Sequence, residues 1–348
     1  MVRPRFLFPS LCLLGPLASP AMAGEGELNV YSARHYDADK QLYAAFEEAT
    51  GIEINLIEGK GNELLARLKQ EGRNSPCDVF VTVDAGNLWA ADEAGVFQAV
   101  ESEVLNERVP AHLRQEDGRW YGLSVRARCI FYSREKVDPA ELSTYEALAE
   151  PRWKGRVLIR SSSNVYNQSL VGSLIARHGE EQTEAWARGL VANLARKPQG
   201  GDTDQIRAVA AGEGDVAVAN SYYYARLVKS EKPEDREVVR KVGIFFPNQS
   251  GREGQKGSGT HVNVSGAGVA RHSPNRAAAV RFLEFLVSDE AQRIFAEGNN
   301  EFPAVAAAPV DPVLKPWLAH EFDTETTAEE FGRLGRKALQ LMDRAGWR

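Results

Sequence analysis

The residues with the clearest chemical potential are tyrosines. The 348-residue chain has ten, and none lies in the first 23 residues. Tyr222, Tyr223 and Tyr224 follow directly on an apolar run, Asp215–Asn220, that reads as a strand. His35 and Tyr36 follow the apolar run Leu28–Ser32, and Tyr166 stands just after the cluster Ser161–Asn164, where a helix is expected to begin. Each group therefore falls at the C-terminal end of a strand, the edge at which open α/β sheets hold ligands. Phenolate is a hard, anionic oxygen donor suited to a small, highly charged cation such as Fe(III). A free phenol has a pKa of about 10, so such a cation must displace its proton. His35 offers a neutral nitrogen beside Tyr36. A single tyrosine at a strand end is more commonly a packing or rim residue. Neighbours in a Tyr-Tyr-Tyr run also point in different directions, so residue type alone leaves both readings open.

Other chemistry is sparse. Ser162 and Ser163 do not sit in G-x-S-x-G, and no H-E-x-x-H or EF-hand pattern occurs. His112, His178, His261, His272 and His320 are scattered. The glycine-rich stretch 249–260 lacks the strand-to-helix setting and GK[ST] ending of a phosphate loop, and reads as a surface loop.

The elements that must position the tyrosines alternate. Strands are expected at Leu28–Ser32, Ile52–Ile57 and Asp78–Val83. Amphipathic helices capped at Asp37, starting at Asn62 and spanning Ala85–Ala94 lie between them. That order implies a parallel sheet covered on both faces. Tyr121–Ser133 is extended with no long helix beside it and reads as a crossing between two domains. A second α/β region follows, with strands at Arg156–Arg160, Asp215–Asn220, Val242–Phe246 and His261–Val269. Its helices are Asn164–His178, Thr183–Leu194 and Asp204–Ala211, and the remainder reads as helical through Phe331–Met342. Two α/β lobes joined by extended crossings make a cleft, with hinge closure as its motion.

The N-terminus reads as an export signal. Arg3 and Arg5 precede an apolar run, Phe6 to Leu17, and Ala21-Met22-Ala23 forms a cleavage pattern, with cleavage expected after Ala23. The run is shorter than the ~20 apolar residues of a membrane span. Cys12 lies inside it without a lipoprotein-type box before it. Removal of residues 1–23 takes two arginines and no acids, moving the net charge from −6 to −8. That balance speaks against nucleic acid as a partner. Cys77 and Cys129 remain, and an oxidising compartment leaves their pairing open.

Three segments carry a family resemblance: Asn29–Tyr36 (NVYSARHY), Ser161–Gln168 (SSSNVYNQ) and Ala219–Tyr223 (ANSYY), supported by Ser75–Val81, Trp153–Arg160 and Asn263–Ala270. In this order they resemble the periplasmic ferric-ion-binding proteins of the Fut/Fbp type across essentially the whole mature chain. The resemblance implies the two-lobed type II periplasmic-binding-protein fold with a hinged cleft. Its expected partition is a signal peptide at 1–23, one lobe of 24–125 plus about 265–312, and a second of about 126–264 plus 313–348. It also implies a monomeric, non-enzymatic binding protein that delivers Fe(III) to an ABC-transporter permease in the inner membrane. The ligands it implies are Tyr36, Tyr166, Tyr222 and Tyr223, with His35 as a further position, while Tyr224 falls outside the paired tyrosines and reads as packing. Some relatives place a carboxylate where Val83 stands here; Asp84 is adjacent but out of register. Ser161, Ser162, Ser163 and Asn164 match the site of a small anion such as carbonate, and Tyr166 matches the tyrosine-rich subgroup in which a protein oxygen replaces it. Arg126 and Arg226 match basic residues beside the subgroup's site, where a cation would offset the net −1 of four phenolates on Fe(III). The competing expectations are a secreted metalloenzyme and a binding protein for thiamine, a phosphonate or a polyamine.

Overall fold

A computed structural model describes residues 26–34, 36–250, 256–305 and 308–348. The expected signal segment and His35 lie outside the described residues. The chain opens with β1 (Glu27–Ser32), α1 (Asp37–Thr50), β2 (Glu53–Glu58), α2 (Gly61–Glu71), β3 (Val79–Val83) and α3 (Ala85–Glu93), then α4 (Glu103–Arg108) and the long β4 (Tyr121–Ser133). Apolar spacing forms α1, whose buried face carries Leu42 and Phe46. Gly51 ends it at φ 70, a left-handed turn that glycine adopts without a Cβ clash. The middle of the chain holds β5 (Val157–Leu158), α5 (Val165–Ala192), α6 (Asp202–Ala211), β6 (Val216–Asn220), α7 (Ser221–Lys229), α8 (Pro233–Lys241) and β7 (Val242–Phe245). It closes with β8 (Val262–Val269), α9 (Arg276–Leu286), α10 (Asp289–Asn299), β9 (Phe302–Pro303) and α11 (Ala328–Arg344).

The sheet is mixed, in the order β2-β1-β3-β8-β4-β6-β5, with β7 and β9 also paired to β4. The expected parallel pairing holds for β2-β1-β3. It ends at β8, which returns from far along the chain and runs antiparallel to both β3 and β4. β4 is the crossing. Its first half, to Ala127, pairs with β8, and its second half, from Arg128, pairs with β6 and β7. All thirteen of its residues are buried, including Arg126 and Arg128, so its two arginines need partners inside the protein.

The strand expected at 156–160 shrinks to Val157–Leu158, because the chain turns away toward α5 after pairing briefly with β6. The two helices expected over 164–194 adjoin at Gly179, whose φ of 80 and ψ of 168 kink the long α5. The segment before α11 is not helical as expected: it carries β9 and a short 3-10 turn, Lys315–Ala319. Prolines at 303, 309, 312 and 316 oppose helix there.

Two apolar clusters form. One surrounds β1, β3 and β8 with α1, α9 and α10, where Phe46 meets Phe282 edge-on at 4.9 Å. The other lies under α5 and α11, with Trp186 against Trp347 at 6.2 Å. Helix α11 packs on both α5 and α3. At Gly172 of α5 an added Cβ would lie 2.6 Å from the Phe331 carbonyl oxygen, so the absence of a side chain permits the approach. Among the described residues no helix is long and apolar enough to cross a membrane.

Candidate metal centre

The tyrosines enter the site from the starts of three helices. Tyr36 is the residue immediately before α1. Tyr166 is the second residue of α5, and its backbone N–H donates to the capping Asn164 Oδ1 at 3.2 Å. Tyr222 and Tyr223 occupy the first turn of α7, which starts directly at the end of β6. A helix start carries unpaired N–H groups and the positive end of the dipole, which favours negative charge placed there.

These starts converge. The Tyr166 and Tyr222 hydroxyls are 3.4 Å apart. The Tyr222 and Tyr223 rings lie 4.1 Å apart, so the adjacent pair sits side by side despite its helical offset. The Arg226 guanidinium, one turn along α7, stands over three rings: 4.9 Å from Tyr222, 5.2 Å from Tyr36 and 5.8 Å from Tyr223. Arg226 has no carboxylate partner among the described residues. Tyr224 points elsewhere. Its hydroxyl donates to the Val242 carbonyl at 2.6 Å and its ring packs on Phe131 and Trp317, as expected of a packing residue.

Burial pushes the Tyr222 phenol well above its ordinary range, and the neighbouring Tyr166, Tyr36 and Tyr223 add to this while Arg126 opposes it. Burial, then Glu301, raises Tyr36 against Arg34 and Arg126. Burial, then Tyr166 and Asp202, raises Tyr223. Crowded, half-dry phenols repel one another's anions. Such a cluster becomes anionic when a strong positive charge sits among the oxygens, and it holds its protons otherwise.

Cations ring the cluster. Arg126 lies 5.7 Å from the Tyr166 ring. Its Nη1 donates to Ser265 Oγ at 2.7 Å and stands 3.9 Å from Glu301, while its Nε and Nη2 are buried without a hydrogen-bond partner among the described residues. Three further arginines escaped the reading from sequence. Arg34 lies 4.9 Å from the Tyr36 ring, locked by Asp39 at 3.1 Å and Glu301 at 3.2 Å. Arg128 and Arg160 approach the Tyr166 ring at 5.9 and 5.6 Å. A signal for Arg128 existed: in Val125-Arg126-Ala127-Arg128 the two arginines are two apart on a strand, hence on one face. Glu301 carried none, because it reaches the site from 267 residues beyond Arg34.

Ser161–Asn164 forms the turn into α5. The Ser161 and Ser163 hydroxyls are 3.0 Å apart, Ser162 is buried and Ser163 is exposed. Val83 ends β3 as an apolar, half-buried residue. Asp84 is fully buried at φ 76. Its carboxylate accepts from Gly86 N at 2.8 Å, Ser169 Oγ at 2.6 Å and Asn263 Nδ2 at 2.8 Å, so it ties α3 to α5 and β8. Cys77 and Cys129 are both free and buried, which resolves their pairing as absent in the fold. Among the described residues no three His, Cys, Asp or Glu side chains gather as a metal site, leaving the phenols as the concentrated donor set.

The family profile described as "Bacterial extracellular solute-binding protein" matches residues 41–320. The chain is 55% identical over 327 residues to "Iron uptake protein A2" of Synechocystis sp., covering 94% of this chain and 92% of that one. It is 29% identical over 346 residues to the "Fe(3+)-binding periplasmic protein" of Serratia marcescens, covering 99% and 97%. Among solved structures it is similar to the Trichodesmium protein titled "(IdiA) (FutA) in complex with iron and citrate ligands". That match has 56% identity and a TM-score of 0.88, over 93% of this chain and all of that one. By profile, by identity across nearly its whole length and by its mixed α/β architecture, the chain belongs to the bacterial extracellular solute-binding proteins and has the periplasmic-binding-protein fold.

Proposed function

We propose that this protein captures Fe(III) outside the cytoplasmic membrane and delivers it to the permease of an ABC importer. Tyr36, Tyr166, Tyr222 and Tyr223 supply the phenolate ligands. The observation that carries this reading is the convergence of tyrosines from three helix starts beneath the Arg226 guanidinium. Close relatives are named for iron uptake, and one related structure holds iron with citrate. Four phenolates on a trivalent cation leave one excess negative charge. Arg226 over three of the rings and Arg126 beside the fourth offset it.

Capture is a binding cycle. Two lobes, 24–125 plus about 265–312 and about 126–264 plus 313–348, hinge at β4 and β8. Iron enters from the open cleft, phenol protons leave, and the lobes close. His35 or a small anion at Ser161–Asn164, carbonate or citrate in kind, completes the coordination. The mature chain begins after Ala23, works in the periplasm as a monomer and presents the closed form to the permease. A metalloenzyme would require a free general base. The nearby carboxylates are already engaged: Glu301 by Arg34, Asp202 by Arg128, and Asp84 by Ser169 and Asn263.

Iron(III)–phenolate coordination absorbs visible light. The purified protein should turn red-orange with ferric citrate, and Tyr222→Phe should lose most of that colour. A colourless wild type with no ferric affinity would overturn the proposal.

A further inference from the structure

Arg128 sits where β4 passes from β8 to β6, with 1% of its surface exposed. Every strong contact of its guanidinium is with buried protein. Nη1 donates to Asp202 Oδ2 at 2.6 Å and to Asn220 Oδ1 at 3.0 Å. Nη2 donates to Asn167 Oδ1 at 2.8 Å and to the Val218 carbonyl at 3.3 Å. The partners have a common feature. Asn167 is the residue after Tyr166, and Asn220 lies two before Tyr222.

The partners are cross-braced. Asp202 Oδ2 also accepts the Asn220 backbone N–H at 2.7 Å, and Asp202 Oδ1 accepts from Arg160 Nη1 at 3.4 Å. Asn167 Nδ2 donates to the Arg160 and Ser161 carbonyls at 2.9 and 3.1 Å, fixing the turn that leads into Tyr166. Asp202, Asn167 and Asn220 are each at most 2% exposed. One planar group therefore links the starts of α5, α6 and α7 to the crossing strand.

We propose that Arg128 is a positioning residue that clips the Tyr166 and Tyr222–Tyr223 helix starts together, setting the spacing of three phenol oxygens before the cation arrives. This rests on the iron-binding reading above and adds a role to a residue that touches no cargo. Two chemical arguments favour it. A guanidinium presents five donors in a fixed fork, whereas an ammonium presents three donors from one point and cannot hold both Asn220 and Asn167 in the same plane. A buried ion pair is a weak source of net stability compared with apolar packing, so fold stability alone gives little reason for this group here.

The test uses the full mature chain. Arg128→Lys keeps the charge and loses the fork, and Asn167→Ala removes one clip partner while leaving Arg128 with Asp202. Ferric affinity is measured by competition with citrate, the phenolate-to-iron band by visible absorption, and folding by circular dichroism and melting. Both folded variants should bind iron about 10- to 100-fold more weakly, with the visible band shifted and weakened, because altered oxygen spacing changes the ligand field. Arg128→Lys should lose more than Asn167→Ala. Folded variants with wild-type band and affinity, whatever their melting temperature, would show a merely structural role and overturn the clip. If Arg128→Lys fails to fold, Asn167→Ala decides by the same criterion. A wild type with no band refutes the iron reading itself, a result separable from wild-type-like variants.

Discussion

The tyrosine site makes a quantitative prediction about protons. Burial raises Tyr36, Tyr222 and Tyr223 above the ordinary phenol range, and at neutral pH a phenol even at its reference pKa of about 10 is protonated. Ligation by Tyr36, Tyr166, Tyr222 and Tyr223 must therefore release about four protons per iron. Each proton makes the apparent binding free energy change by about 1.4 kcal/mol per pH unit. The logarithm of ferric affinity should then rise by about four for each unit of pH between 5.5 and 7.5, roughly 5.5 kcal/mol per unit. The direction is loss of iron on acidification. The assay titrates apo protein with ferric nitrilotriacetate in weak buffer and counts released protons, corrected for the chelator's own uptake. Parallel citrate competition over the pH range gives the slope. Tyr166→Phe should lower the count to about three and the slope by about one. A wild-type count near one would refute ligation by the phenolate set. A count unchanged in Tyr166→Phe would remove Tyr166 from it.

Further expectations follow from named contacts. Arg226→Ala should weaken ferric binding by roughly 1–3 kcal/mol, about 10- to 100-fold in the citrate competition, because a cation about 5 Å from three phenolate rings is lost at an intermediate dielectric; an unchanged affinity and pH slope would end its role as charge partner. Burial holds the His261 imidazole neutral, pushed down to about 3, with Asp323 opposing and Arg128 and Arg126 reinforcing the shift. Between pH 3 and 6.5 the unfolded chain then binds more protons than the folded one, so stability falls with acid by about 1.4 kcal/mol per pH unit from this group. His261→Gln should narrow the wild-type difference in melting temperature between pH 7 and pH 4, and an equal difference in both proteins would contradict that assignment. Cys77 and Cys129 are free, buried thiols, and burial raises Cys129 well above its ordinary value. In the mature chain neither should react with iodoacetamide when native and both should react in denaturant without reductant; a need for reductant would reveal a disulfide.

Much of this protein was legible in the chain itself. Periodicity located β1, α1, β2 and α3 to within a residue or so, and the limits of β4 coincide with the expected Tyr121–Ser133, because local patterning and helix stops such as Gly51 act over a few residues. Residue type and position also placed Tyr36, Tyr222 and Tyr223 just beyond β1 and β6, whereas Tyr166 stands at the start of α5, well past the shortened β5. Tertiary structure decided the rest. The insertion of β8 beside β3 turns an expected parallel sheet into a mixed one, and a strand's partner depends on the return path of a distant segment. The separation of Tyr224 from its two neighbours depends on which helix face meets Phe131 and Trp317. The charge environment was least legible. Arg34 meets Glu301, and Arg128 meets Asp202, Asn167 and Asn220, across sequence distances of up to 267 residues. Local pattern singles out the tyrosines as candidates, but only the folded chain fixes which buried charges face them, since electrostatic partners are set by proximity in space.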